Sequence, residues 1–159
     1  MSLLAIYLQD HHAAAVAGTR LARRFASTVS HDDVSNDLSD VATEIAADLA
    51  TLERFMGELG TAPNGVKDAT ARVGERLGRL KLNGRFRTRS PLSDVVELET
   101  LVVGITGKQA LWLSLRSATV LPAEELDDLV DRAERQKRIV EGARKAAARR
   151  AFAVHEPPG

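Results

Sequence analysis

"LSDVVELETLVVGITGKQALWLSL", residues Leu92 to Leu115, decides the fold. Apolar residues fall on nearly every side of the helix this stretch would form, and beyond Asp94 in the first turn the charges set among them are Glu97, Glu99 and Lys108. A helix with so little polar surface is expected to be central, contacted by several neighbours or by a second subunit. Gly104 and Gly107 lie one turn apart and read as a place where another helix approaches closely. Ser90-Pro91 supplies the cap and first turn, and Leu121-Pro122 ends the segment.

The pattern on both sides is also helical. Leu4, Tyr7, His11, Ala14, Gly18, Leu21 and Phe25 recur in three- and four-residue steps, predicting a helix from about Leu3 to Ser27. After "STVSHDDVSND", Ser35 or Asp37 can cap a second helix. Its stripe is Leu38, Val41, Ile45, Leu49, Leu52, Met56 and Leu59, closed by "GTAPNG". A shorter helix is expected from Val66 to about Leu80, followed by an irregular stretch with a turn signal at Asn83-Gly84. The last helix, from about Ala123 to Phe152, is expected to bury Leu126, Leu129, Val130, Ala133 and Ile139. No strand pattern of length competes. The fold class is all-α: an antiparallel four-helix bundle with one additional short helix, a single domain over residues 1–152, and a frayed tail at 153–159.

Composition agrees with this and narrows function. The 159 residues are 44% hydrophobic but only 4% aromatic, so the core must be aliphatic and alanine-rich. Twenty-two bases balance 22 acids, so no overall field draws the protein to nucleic acid or to a membrane. There is no cysteine, hence no disulfide, zinc-thiolate or thiol chemistry. The run Leu3–Leu8 is too short for a signal peptide, and no stretch approaches the ~20 apolar residues of a membrane span. A cytoplasmic protein is expected. No Gly-rich phosphate loop or nucleophile elbow is present, which leans against an enzyme.

The polar residues on apolar stripes are the candidate site. His11 lies on the stripe of the first helix with Asp10 at its border, while His12 is expected at the surface. Glu44 and Asp48 flank the buried stripe of the second helix, and Glu99 is in register with Leu92, Val95, Val102 and Thr106. Burying such charges unpaired costs several kcal/mol each, so they must pair, bind something or point outward. One reading is a structural network, a polar core of Asp10, His11, Glu97, Glu99 and Lys108. The other is a metal site from His11, Glu44, Asp48 and Glu99, holding Fe, Mn or Zn. A di-iron site needs Glu and His three residues apart, twice. Three residues before His11, His12, His31 and His155 stand Leu8, Gln9, Thr28 and Phe152.

"DHHAAAVAGTRLARR", "EIAADLATLERFM", "RLKLNGRFRTRSPLSDVVELETL" and "GKQALW" resemble a family of small uncharacterised actinobacterial proteins with a ferritin-like helical bundle. The likeness spans roughly Leu3 to Leu115. It implies a ferritin-like scaffold whose metal site is lost or altered, since the paired Glu-x-x-His is missing.

Residues 61–91 carry 8 bases and 2 acids, against 4 and 9 in residues 1–60. Arg79, Lys81, Arg85, Arg87 and Arg89 are therefore an anion-binding candidate for phosphate or nucleic acid, although only Phe86 interleaves them. The alternative is pairing with the acidic first sixty residues. Trp112, the only tryptophan, reads as core or dimer interface. The function expected is a non-catalytic interaction or small-ligand module, a homodimer through Leu92–Leu115. A ferritin-like metal or redox protein and a phosphate or nucleic-acid binder are the alternatives.

Overall fold

A computed structural model describes residues 2–28, 33–62 and 90–153. The short helix expected at 66–80, the Asn83-Gly84 turn, the basic residues Arg79, Lys81, Arg85, Arg87 and Arg89, His31 and the tail from 154 lie outside them. The described chain forms four long helices: α1 (Leu3–Ala26), α2 (Asp33–Glu58), α3 (Pro91–Ser117) and α4 (Ala123–Ala151).

The ends are set by local chemistry. The Ser2 hydroxyl accepts from the Ala5 N–H and caps α1. Ser90 and Ser93 form a reciprocal capping box around Pro91 at the start of α3. Gly60 ends α2 with φ +66, a conformation that favours glycine. Helix α2 begins at Asp33, earlier than expected, so Ser35 and Asp37 lie inside its first turns rather than capping it. Among the described residues no helix is long and apolar enough to cross a membrane.

Cross-helix pairs fix the directions. Tyr7 meets Ser114 and Arg24 meets Glu97, so α1 and α3 are antiparallel. Arg54 pairs with Glu125 and Arg132 with Asp48, so α2 and α4 are antiparallel. Arg116–Asp127 and Gln109–Glu134 set α3 against α4 in the same way. Leu8 shares a cluster with Phe55 and Met56, while Phe25 shares one with Leu38 and Val41, so α1 and α2 also run oppositely. The order is therefore up-down-down-up: α2 and α3 are parallel and diagonal, and their backbones do not approach closely. The chain leaves α2 and enters α3 at opposite ends of the bundle.

The core is divided along the bundle axis. One cluster joins Phe25, Leu38, Val41, Leu98, Ile105 and Val140 with alanines of α1, α2 and α4. The other joins Leu8, Phe55, Met56, Trp112, Leu115 and Leu126. Phe55 and Trp112 meet edge to face at 6.0 Å between ring centroids.

Two expectations change. Helix α3 is a corner helix, not a central one: it packs on α4 and α1 and leaves Leu92, Val103 and Leu113 exposed. Trp112 is 1% exposed within the single chain, which is the core alternative of the two expected for it. Ile139 is exposed, because the buried stripe of α4 follows a seven-residue repeat through Leu126, Leu129, Ala133, Gln136, Val140, Ala143 and Ala147.

Candidate ligand cavity

A polar layer separates the two apolar clusters. Its centre is Asp48 of α2, 2% exposed. Lys108 Nζ reaches across the bundle diagonal from α3 and donates to Asp48 Oδ2. Arg132 of α4 donates from a guanidinium nitrogen to Asp48 Oδ1 at 2.8 Å. Gln136, fully buried on α4, accepts from Lys108 Nζ at its Oε1. Its Nε2 donates to Glu44 Oε2 at 2.9 Å and to Asp48 Oδ2 at 3.2 Å. These partners fix the amide orientation: oxygen to the ammonium, nitrogen to the carboxylates.

Helix α1 contributes no polar side chain to this layer. At the same level it presents Ala14, Ala15, Ala17 and Gly18, and the Thr19 hydroxyl turns back to donate to the Ala15 carbonyl. Small residues on α1 and Gly104 and Gly107 on α3 leave a cavity of about 820 Å³ between α1, α2 and α3. Ile45, Leu49, Leu52, Leu101, Ile105 and Leu111 give it apolar walls; Asp48 and Lys108 also line it. The cavity is open to solvent on one side, where Ile6, Asp10, Ala14, Val103 and Gly104 are exposed, and its size and apolar walls are those of a small-molecule site.

The glycines have a different role from the one expected. Among the described residues, a Cβ added at Gly18, Gly104 or Gly107 would meet nothing within 4 Å. No described helix approaches closely there; the glycines keep the cavity wide. Each lies inside a helix, where glycine costs about 0.5–1 kcal/mol relative to alanine.

Burial holds the Lys108 ammonium below the ordinary lysine value, while Asp48 and its hydrogen bond pull it back up. Ion-paired and twice hydrogen-bonded, Lys108 is a cationic donor rather than a free amine nucleophile. Two of its three N–H groups are taken by Asp48 and Gln136. Beside it in the same wall, Trp112 Nε1 is buried with no hydrogen-bond partner among the described residues. At the cavity edge His11 is lowered by burial, against the opposing pull of Asp10, and its ring lies 4.5 Å from that of Tyr7.

The histidines exchange the places expected of them. His12 is 5% exposed and hydrogen-bonded through Nε2 to Glu53 at 3.0 Å, whereas His11 is half-buried against the cavity. The cause is that α1 has two apolar faces. Leu8, His12, Thr19 and Ala22 are buried, and the neighbouring face of Ala14, Gly18 and Leu21 borders empty space.

Of the expected polar core, Lys108 is inside. Asp10 and Glu99 are exposed, and Glu97 lies near the surface, bonded to Arg24 at 2.8 Å. The set His11, Glu44, Asp48 and Glu99 is not assembled into a metal site: no three His, Asp or Glu side chains gather around a metal position among the described residues. Glu44 and Asp48 are instead bonded to Gln136, Lys108 and Arg132.

Arg132 and Gln136 were missed from the sequence, although a signal existed. Seven-residue repeats through Leu38, Val41, Ile45, Asp48, Leu52 and Phe55, and through Leu98, Leu101, Ile105, Lys108, Trp112 and Leu115, place one polar residue at the same repeat position as Gln136 in α4. Three helices with one polar core residue each, at matching heights, spell out the layer. Compared with family models, curated proteins and solved structures, the chain matches none.

Proposed function

We propose that the protein is a non-catalytic helical bundle that holds a small, largely apolar ligand between α1, α2 and α3. The observation that carries this is the cavity itself. It is about 820 Å³, mostly apolar, with Asp48 and Lys108 at one edge and Asp10 and His11 at another, and bordered by helix-interior glycines that no close helix contact among the described residues requires. We also read the bundle as ferritin-like. Parallel α2 and α3 support this, because a bundle with one end-to-end crossover is the ferritin-like arrangement.

Trp112 is the only tryptophan and forms part of the wall, so its emission reports occupancy. Titration with 1-decanol is expected to shift that emission saturably. Gly104→Leu, whose side chain grows into empty space, is expected to abolish the shift while helical circular dichroism is retained. Absence of saturation, or equal binding by Gly104→Leu, rejects the reading.

Self-association is a second reading. Leu92, Val103 and Leu113, 44%, 63% and 46% exposed, leave apolar surface on α3, Val103 at the cavity rim. Light scattering at high micromolar concentration decides it: a monodisperse monomer removes the dimer.

A further inference from the structure

Resting on the cavity reading above, we infer that the ligand is an amphipathic acid: an aliphatic chain with a carboxylate head seated at Lys108. The charge count at the polar layer carries this. Asp48 is one buried carboxylate, and it answers two cations, Lys108 and Arg132. The remaining carboxylate, Glu44, is 39% exposed, bonded to Gln136 and faced by Arg135 at 4.0 Å. Lys108, Arg132 and Arg135 set against Asp48 and Glu44 leave the layer as a whole with one positive charge more than negative.

The surplus is on the side a ligand can reach. Lys108 lines the cavity, its side chain is 12% exposed, and its third N–H has no acceptor among the described residues. Arg132 contributes charge from behind the layer, because it does not line the cavity. A carboxylate oxygen at Lys108 would complete the ammonium's three bonds with a charge-assisted one, stronger than a neutral hydrogen bond.

The rest of the cavity orients the chain. Leu21, Leu49, Leu101 and Ile105 offer only apolar surface to an alkyl tail. Asp10, exposed at the rim, repels an anionic head there and so favours the head-inward arrangement. An amine head has the opposite preference: Asp10 would attract it, and Lys108 and Arg132 would oppose its entry.

The test uses the full chain and three probes of one length: decanoate, 1-decanol and decylamine, at neutral pH, read by Trp112 emission and by calorimetry. Decanoate is expected to bind at least about tenfold tighter than 1-decanol, with decylamine weakest. Lys108→Met removes the ammonium but leaves Asp48 with Arg132 and Gln136, so the ratio of decanoate to 1-decanol affinity is expected to fall to about one. Decylamine matching or exceeding decanoate, or decanoate and 1-decanol binding alike, overturns the carboxylate while leaving the cavity reading intact. A Lys108→Met chain that keeps the acid preference overturns it equally. If none of the three probes saturates, the cavity reading fails and this inference falls with it. The ranking of probes on the native chain stands even if the variant does not fold.

Discussion

Replacing Asp48 by asparagine keeps its volume and removes the carboxylate that Lys108 and Arg132 share. Arg132, 31% exposed, can turn toward solvent. Lys108 has less freedom: it is left in the interior with only the half-exposed Glu44 nearby. Breaking a buried pair this way costs about 3–5 kcal/mol. There is also a ceiling, because the lysine can release its proton. Its ordinary value is 10.5, so release at about pH 7 costs about 5 kcal/mol. The expected loss is thus about 3–5 kcal/mol, a large share of the ~5–15 kcal/mol that holds a domain folded.

The ceiling gives the prediction a pH signature. At about pH 9 release costs only about 2 kcal/mol, so the deficit of Asp48→Asn should narrow as pH rises. The sign follows from linkage. Lys108 has a folded value below its unfolded one, so between the two the unfolded chain binds more protons and stability rises with pH. Without Asp48 the folded value drops further, the window widens, and the variant gains more than the native chain. Urea unfolding followed by Trp112 emission across this range measures both chains. Adding Lys108→Met to Asp48→Asn should recover most of the loss. A deficit under about 1 kcal/mol, or one that stays constant with pH, would refute the claim that Lys108 and Asp48 are an interior pair.

Gly104→Ala and Gly107→Ala should each stabilise the fold by about 0.5–1 kcal/mol, since the new methyl groups meet open space; a fall in urea midpoint would reveal a close helix contact instead. His12→Ala should cost about 1–3 kcal/mol through its lost bond to Glu53 and lost burial, and more than His11→Ala, whose ring is half-exposed; the reverse order in urea unfolding would return His11 to the core. Burial lowers His11 below 6.5, so its folded form resists protonation and stability is lost as pH falls from 6.5 toward the folded value. Asp10 and Tyr7 lie beside it, and His11→Asn should flatten that part of the midpoint-against-pH profile; an unchanged profile rules His11 out as its source.

How far the sequence could be read depends on what its periodicity measures. The stripe of α2 and the start of α3 at Ser90-Pro91 were legible because apolar spacing and capping chemistry are local. The phase of α1 was not. Spacing shows that Tyr7, His11, Ala14 and Gly18 share an apolar face, but it cannot say whether that face meets a neighbour or a cavity. The same ambiguity misassigned Gly104 and Gly107, since a small residue permits either close approach or empty space. Glu99 was placed inside by a stripe that included Val102 and Thr106; the buried residues Leu98, Leu101 and Ile105 define a phase that turns Glu99 to solvent.

The polar layer also explains why the cavity does not close. Helices α2 and α3 are diagonal neighbours, and a bundle with small residues on α1 could shrink by drawing them together. Lys108 spans that diagonal with its ammonium held at Asp48 and Gln136, while Gln136 and Arg132 tie the same carboxylate to α4. Moving α3 inward would drive the ammonium out of this arrangement and expose a buried carboxylate to unpaired desolvation, at a cost of several kcal/mol. The layer therefore fixes the separation of α2 and α3, and the small residues of α1 decide what fills the gap. Local preference for alanine over glycine is overridden at five helix positions among the described residues, and Gly18, Gly104 and Gly107 border this one space while Gly57 and Gly142 do not. Three such positions around a single cavity are where a binding site would require local rules to be broken.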